Sequence, residues 1–165
     1  MIDRYSTPEM TDLWSEKSKF QAWLDVEIAV SEVLAEMGQV PREAVEVIKR
    51  KASFTVERIR EIEEVTRHDV IAFTTAVAEN VGPESRWIHL GLTSTDVVDT
   101  AQALRVKAAS DLIEDEITAF MEILKKRAVE HRHTYVMGRT HGIHAEPMTF
   151  GLKLAQAHAE MARGR

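Results

Sequence analysis

Apolar residues recur at intervals of three and four along most of the chain, which is the spacing of one face of an α-helix. Strict alternation of apolar and polar residues is scarce, so we predict an all-α protein and consider a sheet improbable. Predicted helices begin near Thr7 and then cover residues 16–37, 41–51, 55–64, 68–80 and 96–131, with a last one from about residue 148. Residues 84–94 and 134–147 are predicted to be irregular or briefly extended.

Local capping signals set several of these boundaries. Thr7-Pro8-Glu9 combines a cap, a first-turn proline and an early acid, and Thr55 has the character of a second cap. A break is expected near Ser15, and Gly38 is expected to end the second helix. The apolar face predicted for that helix comprises Phe20, Trp23, Leu24, Val30, Val33, Leu34 and Met37.

The segment 96–131 contains neither proline nor glycine, and at a 1.5 Å rise per residue it predicts a helix of roughly 50 Å. So long a helix needs partners along its whole face. We therefore predict an N-terminal helical domain over residues 1–92, followed over 93–165 by the start of a long-helix bundle that is completed by further chain or by other copies. A freestanding helical domain with one projecting helix is the alternative.

Composition narrows the class of protein. The 165 residues are 44% hydrophobic and 29% charged, as in a soluble globular protein. The sequence offers no membrane-spanning run and no secretory signal, and a cytoplasmic location is expected. The absence of cysteine excludes disulfides and thiolate metal sites. A net charge of −6 argues against broad nucleic-acid binding, but a local cluster of cations can still bind an anionic substrate.

The segment Gly138–Ala145 places His141 between two glycines, directly after the long helix. An imidazole titrates near neutrality, so a histidine on a constrained loop suits general acid–base catalysis.

A metal site is the less favoured interpretation of this region. His141 and His144 have only Glu146 nearby as a carboxylate, and dipole interactions at a helix C-terminus suffice for His131 and His133.

Three further clusters carry anion-binding chemistry, and each also has an ordinary structural explanation. Thr93-Ser94-Thr95-Asp96 would gather hydroxyls and free N–H groups at a helix start, or simply cap that helix. Arg67-His68-Asp69 could grip an oxyanion, or form a surface helix start. Arg4-Tyr5 could hold a phosphate, or belong to a loose terminus.

The four clusters together, in this order and spacing, resemble the adenylosuccinate lyases of the fumarase/aspartase superfamily. The resemblance runs along the whole chain and corresponds to roughly the first two-fifths of such an enzyme. It implies β-elimination of fumarate from adenylosuccinate, giving AMP, and from the succinyl-carboxamide ribotide of purine nucleotide biosynthesis. It also implies no metal and no organic cofactor, a homotetramer with shared active sites, and no nucleic-acid or membrane partner.

The resemblance also implies roles for individual residues. His141 would be the general acid, and His68 a second catalytic histidine that holds or polarises the substrate. Thr93 and Ser94 would bind a succinyl carboxylate. The remaining substrate-binding residues would be Arg4 and Tyr5 at the phosphate, Arg67 and Asp69 at the nucleotide, and His89 near the pocket.

One departure is large. The family carries its catalytic base, a serine, on a flexible loop with Met, Lys and Asn, and these 165 residues contain no such loop. We therefore expect this chain alone to lack lyase activity. Two alternatives stay open: another fumarate-releasing lyase, such as one acting on argininosuccinate, and a helical interaction module without catalysis.

Overall fold

The computed structural model describes residues 2–165 and is largely helical, which confirms the predicted all-α class. Its α-helices are α1 (Pro8–Leu13), α2 (Glu16–Glu36), α3 (Arg42–Lys51), α4 (Val56–Thr66), α5 (Asp69–Val81), α6 (Ser94–Glu130) and α7 (Phe150–Gly164). Two short 3₁₀ helices cover Asp3–Tyr5 and Pro83–Trp87, and the strands are β1 (Tyr135–Thr140) and β2 (Ile143–Thr149). Within the part described, no helix is both long and apolar enough to cross a membrane.

The predicted helix boundaries follow from side-chain caps. The hydroxyl of Thr7 accepts the Met10 N–H at 3.3 Å, with Pro8 in the first turn of α1. Ser15 caps α2 in the same way, and Thr55 caps α4. Each cap satisfies an N–H group that the helix itself leaves without a partner.

Three expectations from the sequence need correction. Residues 135–149 form an antiparallel hairpin, so the expectation that a sheet is improbable is wrong, and of the two conformations predicted for residues 134–147 the extended one is observed. Residues 141 and 142 adopt the positive φ angles that a tight two-residue turn requires. Residues 83–87 form a 3₁₀ helix where a loop or extended piece was predicted. Val33 and Met37, predicted on the buried face of α2, are 53% and 63% exposed, since the main apolar core lies against the earlier turns of α2.

The chain divides into two compact units, and the boundary lies inside α6, after Ala109. The first unit is built around an aromatic cluster in which Phe73 is fully buried and contacts Phe20, Trp23 and Phe54 at centroid distances of 5.5–6.0 Å. Offset and edge-to-face ring pairs of this kind add to the free energy gained by burying apolar area. The division predicted at residues 92 and 93 concerns a larger architecture and stays a prediction.

Arg105, on α6, links this helix to the end of α1. Its guanidinium donates to the carbonyl oxygen of Leu13 at 3.0 Å and lies 4.8 Å from the centroid of the Trp14 ring. Burial lowers the pKa of this guanidinium from its usual value. Arg105 thereby satisfies a carbonyl at the end of α1 that the helix leaves open.

The second unit contains the hairpin and α7. A Cβ added at Gly151 would lie 2.4 Å from the carbonyl oxygen of Ala128, so only glycine allows the start of α7 to approach α6 this closely. The register of the hairpin shifts between Met137 and Arg139, which leaves Gly138 at a β-bulge.

Candidate functional site

His89 is held by a carboxylate that the sequence analysis did not identify. Glu27, on α2, is 1% exposed, and one of its oxygens, Oε1, lies 2.6 Å from Nδ1 of His89. The other oxygen, Oε2, accepts the backbone N–H of His89 at 2.8 Å. The sequence showed Glu27 only as an acidic residue among the apolar residues of α2. On a helix with one exposed face, such a residue is normally assigned to the surface.

Arg67 and His68 lie at the junction of α4 and α5. Arg67 follows the last residue of α4 with a left-handed backbone (φ 53°), and its side chain is 75% exposed beside Glu64, 3.2 Å away. With Arg60 and Glu63, Glu64 and Arg67 line an open polar cavity of about 380 Å³. The junction therefore presents an accessible guanidinium next to the start of α5.

His68 caps α5 with its ring. Nδ1 accepts the Ile71 N–H at 3.4 Å, which favours the tautomer with the proton on Nε2. The carboxylate of Asp69 lies 3.4 Å from the same Nδ1 and accepts the Val70 N–H at 2.7 Å. The ring is 43% exposed, so Nε2–H is available as a donor to a ligand.

Thr93 to Asp96 form the start of α6. The Asp96 carboxylate accepts the Thr93 N–H at 2.8 Å, which is one half of a capping box. Within residues 2–165 the hydroxyls of Thr93 and Ser94 make no hydrogen bond. The ordinary capping role thus falls to Asp96, and both hydroxyls are left for another partner.

Arg4 and Tyr5 are exposed in the first 3₁₀ helix, with the Arg4 guanidinium 4.8 Å from the centroid of the Tyr5 ring. Their cation and phenolic hydroxyl are accessible to an anion. Among the described residues of the first unit, no side-chain hydrogen bond or ion pair joins Arg4 or Tyr5 to another candidate residue.

His141 occupies the tip of the hairpin in the second unit. Thr140 and Ile143 pair directly across the turn, so His141 and Gly142 form a two-residue loop with φ angles of 50° and 74°. The imidazole is exposed at this tip. His141 is in the second unit, whereas the other candidate residues are in the first.

Backbone strain coincides with the candidate residues. In residues 2–165, three residues other than glycine adopt positive φ angles, namely Arg67 (53°), His89 (64°) and His141 (50°). All three were selected from the sequence for their chemistry. A residue with a Cβ is disfavoured in this conformation, and such strain accumulates at sites where a side chain must be aimed.

The pKa shifts concern other parts of the chain. The ion pair of Arg58 with Glu79, which joins α4 to α5, holds the pKa of the Glu79 carboxyl below its usual value. In the described part of the chain, no group of three or more histidine, aspartate or glutamate side chains is placed to hold a metal ion.

Comparison with known proteins identifies the family. A family described as lyase matches residues 3–165. The chain belongs to this lyase family. Adenylosuccinate lyases from Bacillus subtilis (strain 168) and from Streptococcus mutans serotype c are each 55% identical to it over 163 residues. These matches cover 99% of the chain, which spans 38% of the length of those relatives.

Two solved structures have the same fold over the residues that match this chain. A fumarate lyase from Mesorhizobium sp. BNC1 matches 96% of the chain with a TM-score of 0.90 at 28% identity, and the match covers 38% of that protein. The 3-carboxy-cis,cis-muconate lactonizing enzyme from Pseudomonas putida matches 99% with a TM-score of 0.87 at 30% identity, covering 39% of that protein. The resemblance noted from the sequence motifs is thereby confirmed at the level of the family.

Proposed function

We propose that this chain is part of a C–N lyase that releases fumarate from adenylosuccinate to give AMP, and that also cleaves the succinyl-carboxamide ribotide of purine nucleotide biosynthesis. The 55% identity to curated adenylosuccinate lyases over 163 residues carries the proposal. The left-handed backbone at Arg67, His89 and His141 supports it independently, because strain is concentrated at residues that were chosen for their chemistry.

In the proposed reaction a base removes a proton from the carbon next to a succinyl carboxylate. The electron pair of that C–H bond becomes the C=C bond of fumarate, and the C–N bond breaks with its electron pair going to nitrogen. His141 donates the proton that the leaving nitrogen requires. Its place in a two-residue turn supports this role, since the short loop restricts where the imidazole can point.

The other residues bind the polyanionic substrate. The free hydroxyls of Thr93 and Ser94 receive a succinyl carboxylate at the start of α6, where backbone N–H groups and the helix dipole favour negative charge. His68 donates from Nε2–H to the substrate, Arg67 and Asp69 contact the nucleotide, and Arg4 with Tyr5 binds the phosphate. His89 contributes its ring at the edge of the same pocket.

The base belongs to chain beyond these residues, and the active enzyme assembles from several copies. Support comes from the second unit, where α6 leaves large apolar side chains exposed: Ile113 (52%), Phe120 (46%), Ile123 (57%) and Val129 (56%). Large apolar side chains exposed on a long helix are commonly covered by further helices. This chain alone is accordingly expected to be inactive, and a cytoplasmic location stays a prediction.

The test uses the complete gene product that contains this chain. Fumarate release from adenylosuccinate is followed by ultraviolet absorbance for the unmodified protein and for His141→Gln. We expect turnover that falls by about 10²–10⁴-fold in the variant, the range for loss of a general acid, with an unchanged circular dichroism spectrum. An open reading frame that ends at Arg165, or full activity in His141→Gln, would contradict the proposal.

Substrate class is tested separately by binding. An enzyme of this specificity should bind AMP, and Arg4→Ala should weaken that binding because a phosphate contact is lost. A protein that turns over argininosuccinate and does not bind AMP would favour the other lyase. A protein with no turnover of either compound, whose thermal stability and self-association are unaffected by His141→Gln, would favour a helical interaction module.

A further inference from the structure

We infer that Glu27 is a positioning residue that sets the proton location and the backbone conformation of His89, so that Nε2 of the imidazole faces the substrate. The inference rests on the proposed function for the identity of the ligand, an anionic nucleotide. The geometry that carries it lies entirely in the first unit and concerns a carboxylate with no part in the mechanism described above.

The burial of Glu27 is costly and therefore needs a reason. The residue is 1% exposed on α2, whose neighbouring buried residues include Trp23, Leu24 and Val26. Moving a carboxylate out of water is unfavourable, and apolar residues of similar size often replace buried ion pairs without loss of stability. Fold stability alone does not call for an acid at this position.

Both carboxylate oxygens of Glu27 contact His89. Oε2 accepts the backbone N–H of His89 at 2.8 Å, while Oε1 lies 2.6 Å from its Nδ1. The backbone bond holds His89 in a left-handed conformation (φ 64°) that a residue with a Cβ otherwise disfavours. The side-chain bond fixes a proton on Nδ1, since an ionised carboxylate can only accept.

The second ring nitrogen is left for a ligand. Nε2 of His89 makes no hydrogen bond within residues 2–165, and the side chain is 27% exposed. With Nδ1–H bound to a carboxylate, Nε2 is left facing the ligand, as an acceptor in the neutral ring and as a donor in the imidazolium. Histidines in metal sites and in catalytic triads are oriented by carboxylates in the same way.

The hydrogen bond between Glu27 and the His89 backbone also affects the segment that leads to α6. In this segment Gly91, two residues after His89, has φ 75°, and the His89 carbonyl accepts the Leu92 N–H at 3.4 Å. Thr93 comes directly afterwards, ahead of the first residue of α6. Glu27 therefore anchors one end of the short segment that leads into the proposed carboxylate-binding hydroxyls.

The direct test measures the ring nitrogens of His89. The 165-residue chain is labelled with ¹⁵N-histidine, and the His89 signals are assigned by their loss in His89→Gln. We expect the neutral ring to carry its proton on Nδ1, and the Nδ1 proton to be lost in Glu27→Gln, whose amide NH₂ can donate to Nδ1. A neutral ring protonated on Nε2 in the unmodified chain would overturn the inference.

The functional test is a double-mutant cycle in the complete gene product. Glu27→Gln is expected to lower kcat/KM by about 10- to 100-fold, the range for carboxylates that orient a functional histidine. In a His89→Gln background, Glu27→Gln should cause no further loss, because its effect passes through the imidazole. Glu32→Gln, the same substitution at an acid of α2 that pairs with Lys49, is the matched control and should keep full activity.

The outcomes separate positioning from a structural role and from the proposed function. Losses that add in the double mutant, or unchanged activity in Glu27→Gln, would overturn the inference while leaving the lyase proposal intact. If Glu27→Gln does not fold, Glu27→Met takes its place, as an apolar residue suits this environment. If neither folds, or if the unmodified gene product has no lyase activity, the nitrogen measurement on the unmodified chain decides.

Discussion

The strained turn at the tip of the hairpin leads to a prediction that separates stability from activity. His141 and Gly142 both have positive φ, and Asn-Gly is the preferred pair for a two-residue turn of this type. We expect His141→Asn to stabilise the hairpin and to inactivate the complete enzyme. An increase in stability together with a loss of turnover is the signature of strain that serves a function.

The expected magnitude follows from the backbone angle. A residue with a Cβ loses roughly 1–2 kcal/mol in the left-handed region, and asparagine recovers part of that by local hydrogen bonding. We therefore expect a gain of about 0.5–1 kcal/mol in the opening free energy of the hairpin, or roughly 2- to 5-fold slower amide exchange in β1 and β2. Turnover should fall by about 10²–10⁴-fold, because an amide does not transfer a proton at neutral pH.

The assay pairs hydrogen exchange on the 165-residue chain with fumarate release by the complete gene product. Gly142→Ala is the matched control. A Cβ at Gly142 would meet no atom within 4 Å, so this change alters only the backbone preference at φ 74°. It should speed exchange by an amount corresponding to roughly 1 kcal/mol. Faster exchange in His141→Asn, or turnover close to that of the unmodified enzyme, would refute the reasoning.

Three further predictions concern the fold. Gly151→Ala should lower the stability of the second unit by about 1–3 kcal/mol, because the new Cβ collides with backbone atoms. Gly164→Ala, whose Cβ would have no atom within 4 Å, should leave the stability unchanged, and thermal unfolding of the two variants measures the difference. Phe73→Ala should lower the free energy of unfolding, measured in urea, by about 3–5 kcal/mol. Ile71→Ala, on the same helix but 50% exposed, should lower it much less, and equal losses would contradict the core described above. The lowered pKa of Glu79 stabilises the fold at pH above its ordinary value of 4.5, and that contribution is lost as the pH falls through the folded value. A pH titration of stability should therefore fall less steeply in Glu79→Gln, and an unchanged slope would contradict this.

Helix boundaries could be predicted from the sequence because they depend on neighbouring residues. Thr7, Ser15 and Thr55 cap the helices that follow them, and each cap is decided within three residues of chain. The same locality explains the confirmed helical class. The long helix was predicted over residues 96–131 and observed at Ser94–Glu130, since no proline or glycine interrupts it.

The hairpin was missed because its sequence signals are weak. Its turn is His-Gly rather than Asn-Gly or Asp-Gly, and Gly138 and Pro147 interrupt the strands. The strands are stabilised by pairing with each other, which a scan of single segments does not detect. Pairing of this kind overrides the low strand propensity of Gly138 and Pro147.

The candidate residues were chosen from the sequence by chemical type, but their partners could not be. His89 was selected, whereas Glu27 lies 62 positions earlier and its burial depends on the fold. Conversely, Val33 and Met37 are exposed because the apolar face of α2 continues past the part of the helix that packs against the core. Such placements depend on which elements meet, and periodicity along one helix does not contain that information.

The first turns of α6 have a consequence for the order of folding. Val97 and Ala101 are fully buried in the same core as the aromatic cluster, and Arg105 reaches back 92 positions to the carbonyl of Leu13. During synthesis, at about 5–20 residues per second, the preceding helices therefore leave the ribosome before the residues that complete their core. The hairpin pairs residues at most 14 positions apart, so it can close on a timescale of about 1–10 μs as soon as it emerges.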